Sequence, residues 1–455
     1  MLEKIKPYAS YKKSESTWLS EFPDDWEEVS LSQIARLKSV TNQIDRELLS
    51  IYLHKGVVRF SDVKEKRTNS TSTNLEKYQA VDPGDFVLNN QQAWRGSVGV
   101  SSFSGIVSPA YLVLNLSKRL EPKYANYLFR SPIMVSQYLI CSKGVGTIQR
   151  NLYWPYLKRV KTVIPSYNTQ KDIVKFLDYA NGKLDRAIRA KRKTIALLNE
   201  QKQAIIHRAV TRGLDPSVPL KPSGIPWLGD IPAHWEIRRL KSFISNITQQ
   251  TAVMQSDDVY IALEDVEGWT GRFSPKNNTE DVLFSGQVKK FVKGDVLFCK
   301  LRPYLAKVIS PQCKGVCVGE FLVLRPEDLM NHKFLEILLR TKLLIDVINS
   351  STFGAKMPRA DWDFIGNLRI GIPPLTEQIR IVQSIDTAIN PILDTISRVM
   401  KEIQLLSEYR TRLISDVVTG KLDVREAAKN LPIETIAEPI EDISEGEDEE
   451  LEDAA

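Results

Sequence analysis

The chain has 455 residues, 42% of them hydrophobic, which is enough for two or more domains that each bury a core. No window approaches about eighteen uninterrupted apolar residues and Met1-Leu2-Glu3-Lys4 opens no signal peptide, so the expectation is a soluble cytoplasmic protein with no membrane partner. The net charge of +6 conceals eleven acidic and no basic side chains from Glu434 onward; the remaining body carries 62 basic against 45 acidic groups, or +17, which fits either a polyanionic partner such as nucleic acid or a basic protein without one.

An N-terminal arm, residues 1–24, leads through Trp18-Leu19 into Phe22-Pro23-Asp24-Asp25-Trp26-Glu27. The first globular segment, 25–165, mixes short β-rich runs with turns, as where a Gly-Asp turn enters Asp85-Phe86-Val87-Leu88, and a short helix is predicted at 123–130. Two of its loops concentrate amides, cations and aromatic rings. One is Asn89-Asn90-Gln91-Gln92-Ala93-Trp94-Arg95-Gly96, after a predicted strand; the other is Lys143-Gly144-Val145-Gly146-Thr147-Ile148-Gln149-Arg150-Asn151, before Trp154.

Residues 166–212 lose Gly and Pro except Gly182, and their apolar positions alternate in steps of four and three. Leu184, Ile188, Ile195, Leu198 and Ile205 mark the stripe, with Lys191 and Lys202 at two of its positions, a coiled-coil pattern of nearly four heptads. A connector at 213–233 follows, with Pro216, Pro219, Pro222 and Pro226 ending the helix. The second globular segment, 234–373, carries Gly294-Asp295-Val296-Leu297-Phe298, a short helix predicted at 332–344, and the loops Lys300-Leu301-Arg302-Pro303-Tyr304 and Gly354-Ala355-Lys356-Met357-Pro358-Arg359. A second striped helix, 374–420, presents Ile392, Ile396, Ile403, Leu406 and Leu413, and a C-terminal segment, 421–455, ends in the acidic tail, expected to be disordered.

The chain is thus written twice. Val210-Thr211-Arg212-Gly213-Leu214-Asp215 returns as Val418-Thr419-Gly420-Lys421-Leu422-Asp423 at 208 positions, Trp26 pairs with Trp235 at 209, and Gly84-Asp85 with Gly294-Asp295 at 210. Between these anchors 36–80 and 245–290 share little, as expected of one scaffold presenting two different surfaces. Neither long helix can bury its stripe alone. The reading preferred over packing each on its own domain is an antiparallel pair, with Leu184, Ile188, Ile195, Leu198 and Ile205 facing the second set. The fold class is therefore mixed α/β (α+β): two similar globular domains joined by two long antiparallel coiled-coil helices, a pseudo-twofold internal repeat.

The tools of catalysis are missing from the motifs. There is no GxxxxGK[ST] loop, no GxGxxG turn and no Asn-Pro-Pro-aromatic run, and His54, His207, His234 and His332 are scattered. Cys299 with Cys313 and Cys317 is a weak zinc pattern, and buried free thiols are expected instead. Asp185 with Glu200 and Lys202 resembles a nuclease set only superficially, since about four helical turns separate them. The candidate nucleic-acid contacts are Asn90, Gln91, Gln92, Trp94, Arg95, Lys143, Thr147, Gln149, Arg150 and Asn151 in the first copy, and Lys300, Arg302, Tyr304, Lys356 and Arg359 in the second. Asn, Gln and Arg suit paired hydrogen bonds to base edges, Lys and Gly amides suit phosphates. Each loop alone would pass for an exposed turn; recurrence at the same two places in both copies favours DNA.

The duplicated Trp-Leu-x-x-(Phe/Ile)-Pro-x-x-Trp-Glu opening at 18–27 and 227–236, the Gly-Asp turn and the long helix ending in Val-Thr-x-x-Leu-Asp resemble the specificity subunit of a type I restriction–modification system, over nearly the whole chain to about residue 425. The resemblance implies two target-recognition domains, each reading half of a split double-stranded DNA site, held apart by two conserved helical regions. It also implies a non-catalytic chain with two modification subunits that use S-adenosylmethionine and restriction subunits that use ATP and magnesium, this chain binding no cofactor itself. The acidic tail departs from the family pattern. Rival readings are a coiled-coil adaptor without DNA readout and a stand-alone endonuclease.

Overall fold

In each half of the repeat a four-stranded antiparallel sheet lies between two apolar layers. A computed structural model of the chain describes residues 5–16, 18–53, 55–62, 74–145, 149–275, 287–354 and 356–432. The first half orders its strands Ala35–Lys38, Tyr111–Leu116, Phe86–Asn89, Val98–Val100, and the second Ile244–Ile247, Phe321–Pro326, Val296–Cys299, Val308–Ile309. Side chains alternate across a strand, so Phe86, Leu88 and Leu114 enter a core shared with helices, while Val87 and Val113 pack on Leu49, Ile51, Val81 and Val107. In the second half Val296 and Phe298 face the helical core and Leu297 and Cys299 face Ile261, Phe291 and Cys317. Burial on both faces explains why these strands read as unbroken apolar runs. Each fully buried Phe or Leu contributes roughly 1.5–3 kcal/mol.

The outer layers differ between copies, as the unlike sequences at 36–80 and 245–290 anticipate. The first has the hairpin Leu49–Tyr52 with Gly56–Arg59 and the pair Gln79–Val81 with Gly105–Val107. The second has one sheet of Gln250–Thr251, Val288–Phe291, Gly315–Cys317 and Val259–Ile261, its last pair parallel.

Asp85 and Asp295, the Gly-Asp turn residues, are both 1% exposed. Each carboxylate closes its turn by accepting an amide, from Asp82 and Val292 respectively, both at 2.8 Å. The buried charge is then paired with Lys38 in the first copy, helped by Asn115 at 3.2 Å, and with Arg325 in the second, whose Nε and Nη2 donate at 2.7 and 2.8 Å. Asn115 and Arg325 occupy the same place in the repeat, so one arginine does the work of a lysine and an amide.

The long helices are Tyr167–Arg212 and Leu375–Val418. The chain separates into two units, one ending at Arg189 and resuming at Ile403, the other spanning Ala190–Glu402, so each helix contributes one part to each unit. In the first unit Ile173, Phe176, Leu177 and Ala180 share a core with Leu413, Val417 and Val418, and Arg410 donates to Asp185. In the second Ala209 and Val210 share a core with Ile381, Ile385 and Ile389, and Lys191 pairs with Glu402. Rising numbers on one helix meet falling numbers on the other in both units, so the pairing is antiparallel. Of the expected stripe, Ile188, Ile392 and Leu413 are buried and Leu184, Ile195, Leu198, Ile205, Ile396, Ile403 and Leu406 half-buried, whereas Leu197, Met400 and Leu405 off the stripe are more than half exposed. Pro391 lies inside the second helix without ending it, at an exposed position.

Each helix ends on a glycine at positive φ, Gly213 at 72° and Gly420 at 78°, against the tryptophan of the duplicated opening. A Cβ at Gly420 would meet Pro23 Cδ at 2.5 Å and Trp26 at 3.5 Å; at Gly213 it would meet Glu377 at 3.0 Å and Trp235 at 3.5 Å. The arm that carries the opening is a two-stranded ribbon in both copies, Tyr11–Lys13 with Glu21–Pro23 and Leu220–Pro222 with Asp230–Pro232. Tyr11 donates its hydroxyl to the Gly420 carbonyl at 3.1 Å, and the Asp423 amide donates to Lys6 at 2.9 Å, so the chain's first and last described segments fold as one piece. A short helix, Arg425–Lys429, buries Val424 and Ala428 against the same core. The expectation of a disordered acidic tail falls on 433–455, outside the described residues.

Two expected helices are longer systems than their patterns indicated. Helix Pro122–Phe129 is followed at once by Pro132–Ile140, and the helix expected at 332–344 breaks into His332–Leu339 and Lys342–Ser350, because Thr341 takes an extended conformation and caps the second piece by accepting the Leu344 amide.

A buried glutamine joins each globular part to its long helix. Gln170 Oε1 accepts the Glu121 amide at 2.8 Å while Nε2 donates to Arg119 and Pro165 carbonyls at 2.9 and 3.0 Å; Gln378 repeats all three with Asn331, Leu329 and Pro373. Both side chains are wholly buried. Replacing Gln378 by Ala strands one amide and two carbonyls, and should destabilise the second unit by about 2–4 kcal/mol in urea titration; a loss under about 0.5 kcal/mol would show the junction to be held by packing alone.

Candidate nucleic-acid interface

The loops singled out in each copy meet. In the first unit, strand Phe86–Asn89 runs into a turn in which Asn89 Oδ1 accepts the Gln91 amide at 3.1 Å, followed by a 3-10 turn Ala93–Arg95 capped by Gly96 at φ 98°. Ala93 is wholly buried and anchors the turn, leaving Gln91 and Arg95 exposed. The second loop is a β-hairpin, Ser142–Val145 with Gln149–Leu152, that sets Lys143 opposite Asn151 and Gly144 opposite Arg150. Leu152 donates its amide to the Asn90 carbonyl at 3.1 Å, joining the loops.

Trp94 stands at their junction. Its Nε1 donates to the Gln91 carbonyl at 3.0 Å, and the Arg95 and Arg150 guanidinium carbons each lie 5.7 Å from the ring. Lys143 lies 4.8 Å from the Tyr156 ring and 5.7 Å from Tyr153, donating to the Tyr156 hydroxyl at 3.1 Å. That hydrogen bond raises the Lys143 pKa, so the ammonium is charged at any physiological pH. Asn151 is exposed; Thr147 lies outside the described residues, as does the Gln149 side chain.

The second unit repeats the frame with other side chains. Ala360 donates to the Lys300 carbonyl at 2.9 Å, the counterpart of the Leu152 bond, and Arg302 donates its amide to Pro358 at 2.8 Å. The 3-10 turn recurs as Pro303–Leu305, with Tyr304 where the first unit has Trp94. Its flanks are strained: Arg302 and Ala306 take φ of 49° and 48°. Arg359 spends its fork on Glu320, Nε and Nη2 donating at 3.2 and 3.0 Å, which lowers the Glu320 pKa and raises that of Arg359. Arg302, Tyr304 and Lys356 are exposed, Lys300 half-buried.

The sequence candidates leave out Tyr153, Tyr156 and Phe353, exposed rings beside these loops, the exposed Met357 within one of them, and Glu320, whose role needs Arg359 brought to it from 39 positions away. Exposed rings flanking a cationic loop were the available signal for the tyrosines. Cys299 and Cys317 are buried free thiols, their pKa values pushed up by burial to about 11 and about 12; Cys313 is exposed. Among the described residues no three His, Cys, Asp or Glu side chains gather as a metal would require. No described helix is long and apolar enough to cross a membrane.

Residues 23–199 match the family model described as the type I restriction modification DNA specificity domain. The type I restriction enzyme MjaVIII specificity subunit of Methanocaldococcus jannaschii is 22% identical over 424 residues, covering 89% of this chain and 94% of that protein. The putative type I restriction enzyme MjaX specificity subunit of the same organism is 22% identical over 441 residues, covering 91% and 97%. A chain from a solved structure concerned with complex assembly and conformational transition of the type I R-M system shares the fold, with a TM-score of 0.65 at 16% identity over 88% of this chain and 99% of that one.

Gly96 and Ala306 hold the same left-handed position in the two turns, which separates backbone strain from packing. Gly96→Ala meets only ordinary contacts, Val135 at 3.5 Å and Leu53 at 3.9 Å, and should cost about 1 kcal/mol from φ alone. Ala306→Gly relieves a similar strain but removes a buried methyl worth about 0.8 kcal/mol, so its net effect should lie within about 0.5 kcal/mol of zero. Paired urea titrations check both; a large loss from Ala306→Gly would mean that the methyl, not the strain, dominates.

Proposed function

We propose that the chain is a specificity subunit of a type I restriction–modification system, as its similarity to that domain family and to those subunits supports, and that each globular unit reads one half of a bipartite double-stranded DNA site. The long helices set the unread spacer and dock two modification subunits, and restriction subunits join that assembly. Specificity subunits are non-catalytic as a family; S-adenosylmethionine, ATP and magnesium belong on this reading to the partners. The observation that carries the proposal is the repeated pinned turn: identical backbone bonds, Leu152 to Asn90 and Ala360 to Lys300, present different side chains in the two copies. An adaptor without DNA readout has no need of a shared frame with unlike polar tips.

Exchanging residues 234–373 for the matching segment of a relative tests modular reading. Methylation mapping of a host genome should then change one half of the modified sequence and leave the other intact; change in both halves, or in neither, would contradict it.

The spacer role follows from helix length. At 1.5 Å per residue the 46-residue and 44-residue helices run about 69 and 66 Å, close to two turns of B-DNA at about 34 Å each. Seven residues inserted after Lys191 together with seven after Glu402, the two ends of one interhelical ion pair, keep the heptad register and add about 10 Å. The mapped site should keep both half-sites and gain about three base pairs of spacer at about 3.4 Å each. An active complex with its original spacer would rule out the ruler.

A further inference from the structure

Two polar atoms at the first unit's pinned turn are buried without a hydrogen-bond partner among the described residues: the side-chain oxygen of Asn90 and the Nε of Arg150. Stripping such atoms of water is costly unless a ligand completes them. They belong to one place, because Leu152, two residues beyond Arg150 on its strand, donates to the Asn90 carbonyl, and because Arg150 lies against the Trp94 ring. That ring is itself fixed by its hydrogen bond to the Gln91 carbonyl. An indole face holds a guanidinium as a flat, oriented fork, with little freedom left to lose on binding.

The chemistry of the two orphans defines what completes them. A guanidinium only donates, and a carboxamide oxygen only accepts. A phosphate would satisfy Arg150 but repel the Asn90 oxygen. On the major-groove edge of a G·C pair, guanine N7 and O6 form two adjacent acceptors and the cytosine amino group stands beside them as a donor; an A·T edge alternates acceptor, donor, acceptor and offers a fork no such pair. Arg95 does not make the same demand, since it is exposed on the last residue of its turn, and Arg359 in the second unit is already paired with Glu320.

We propose that Arg150 and Asn90 together read one G·C base pair through its major-groove edge, Arg150 on guanine N7 and O6 and Asn90 on the cytosine amino group, with Trp94 as the residue that positions Arg150. The proposal rests on the reading that the first unit contacts DNA bases. Its test is sequence selection from a randomised DNA library by the full chain assembled with its modification subunits, comparing wild type, Arg150→Lys, Asn90→Ala, Trp94→Leu and Trp94→Phe at fixed and at varied salt. Wild type should select G·C at one position of one half-site. Arg150→Lys and Asn90→Ala should both relax that position, Arg150→Lys by about 10- to 100-fold, with selection in the other half-site unchanged. Trp94→Leu should relax the same position and Trp94→Phe should restore part of it, a recovery expected of a ring that orients the fork and not of one that merely fills space. If Arg150→Lys abolishes the whole first half-site through misfolding, Asn90→Ala decides alone. Equal weakening on all sequences with a shallower salt dependence would make Arg150 a phosphate contact and overturn the proposal; so would relaxation at an A·T position, or at different positions for Arg150 and Asn90. Wild type without any sequence preference would overturn base reading itself, whereas wild-type selection that Arg150→Lys leaves untouched overturns only the present assignment.

Discussion

An apolar stripe on a helix of more than forty residues must be covered along its whole length, and the rest of this chain is arranged around that demand. A small globular domain can cover only a few turns, as each does here, with Ile173 and Phe176 in one core and Ile381 and Ile385 in the other. Beyond those turns each stripe is covered by the other helix. Each unit's core is then completed by side chains from the opposite long helix, Leu413, Val417 and Val418 in the first and Ala209 and Val210 in the second. The first unit therefore cannot be assembled from a single stretch of chain: it needs Ile403 onward as well as the segment that ends at Arg189. Tyr11 on Gly420 and Asp423 on Lys6 are the local expression of the same arrangement, in which the first arm packs on the end of the last helix.

Duplication under that constraint divides the residues into those that must match and those that are free to differ. The matched set lies where the chain joins its helix or turns tightly: the buried glutamines, the glycine caps against tryptophan, the buried turn aspartates. Even there the chemistry is conserved more closely than the residues, since Lys38 with Asn115 and Arg325 alone neutralise the same carboxylate. The free set lies in the outer strands and at the tips of the pinned turns. A frame fixed by backbone hydrogen bonds lets its side chains change without loss of position, which is what a reading surface requires.

Much of this was legible in the sequence because it rests on periodicity and repetition. The heptad stripe reports its own partner, since only a second stripe of matching register covers it, and the Gly-Asp turns announce the strands they open. The broken helix at Thr341 was not legible, because a capping threonine inside an apolar run looks like one more tolerated polar residue. Pro391 lies at an exposed position inside the second long helix, and the helix continues through it. In the site, the positions of the loops could be read but not the partners of their side chains. Asp185, set aside in the sequence because about four helical turns separate it from Glu200, accepts from Arg410, more than two hundred residues away in the chain.

Partnership of that kind decides what the excess of basic residues means. A net charge counts Arg359, Arg410 and Arg425 in full, although each is matched by Glu320, Asp185 or Asp423 and has little left to offer an outside anion. Arg95 and Arg150 are held instead by an aromatic face, which orients a guanidinium without neutralising it and leaves its N–H edge for another acceptor. Lys143 is held the same way on two tyrosines and donates to a neutral hydroxyl. The distinction is between cations that close the structure and cations that the structure keeps open; Arg95, Arg150 and Lys143 of the second kind share the pinned turn and hairpin of the first unit, and Lys171 and Lys183 lie on Tyr167 and Tyr179 of the first long helix. Charge counted over the whole body fits a nucleic-acid partner or none; charge counted by what each cation touches separates side chains already neutralised from those still able to meet an anion.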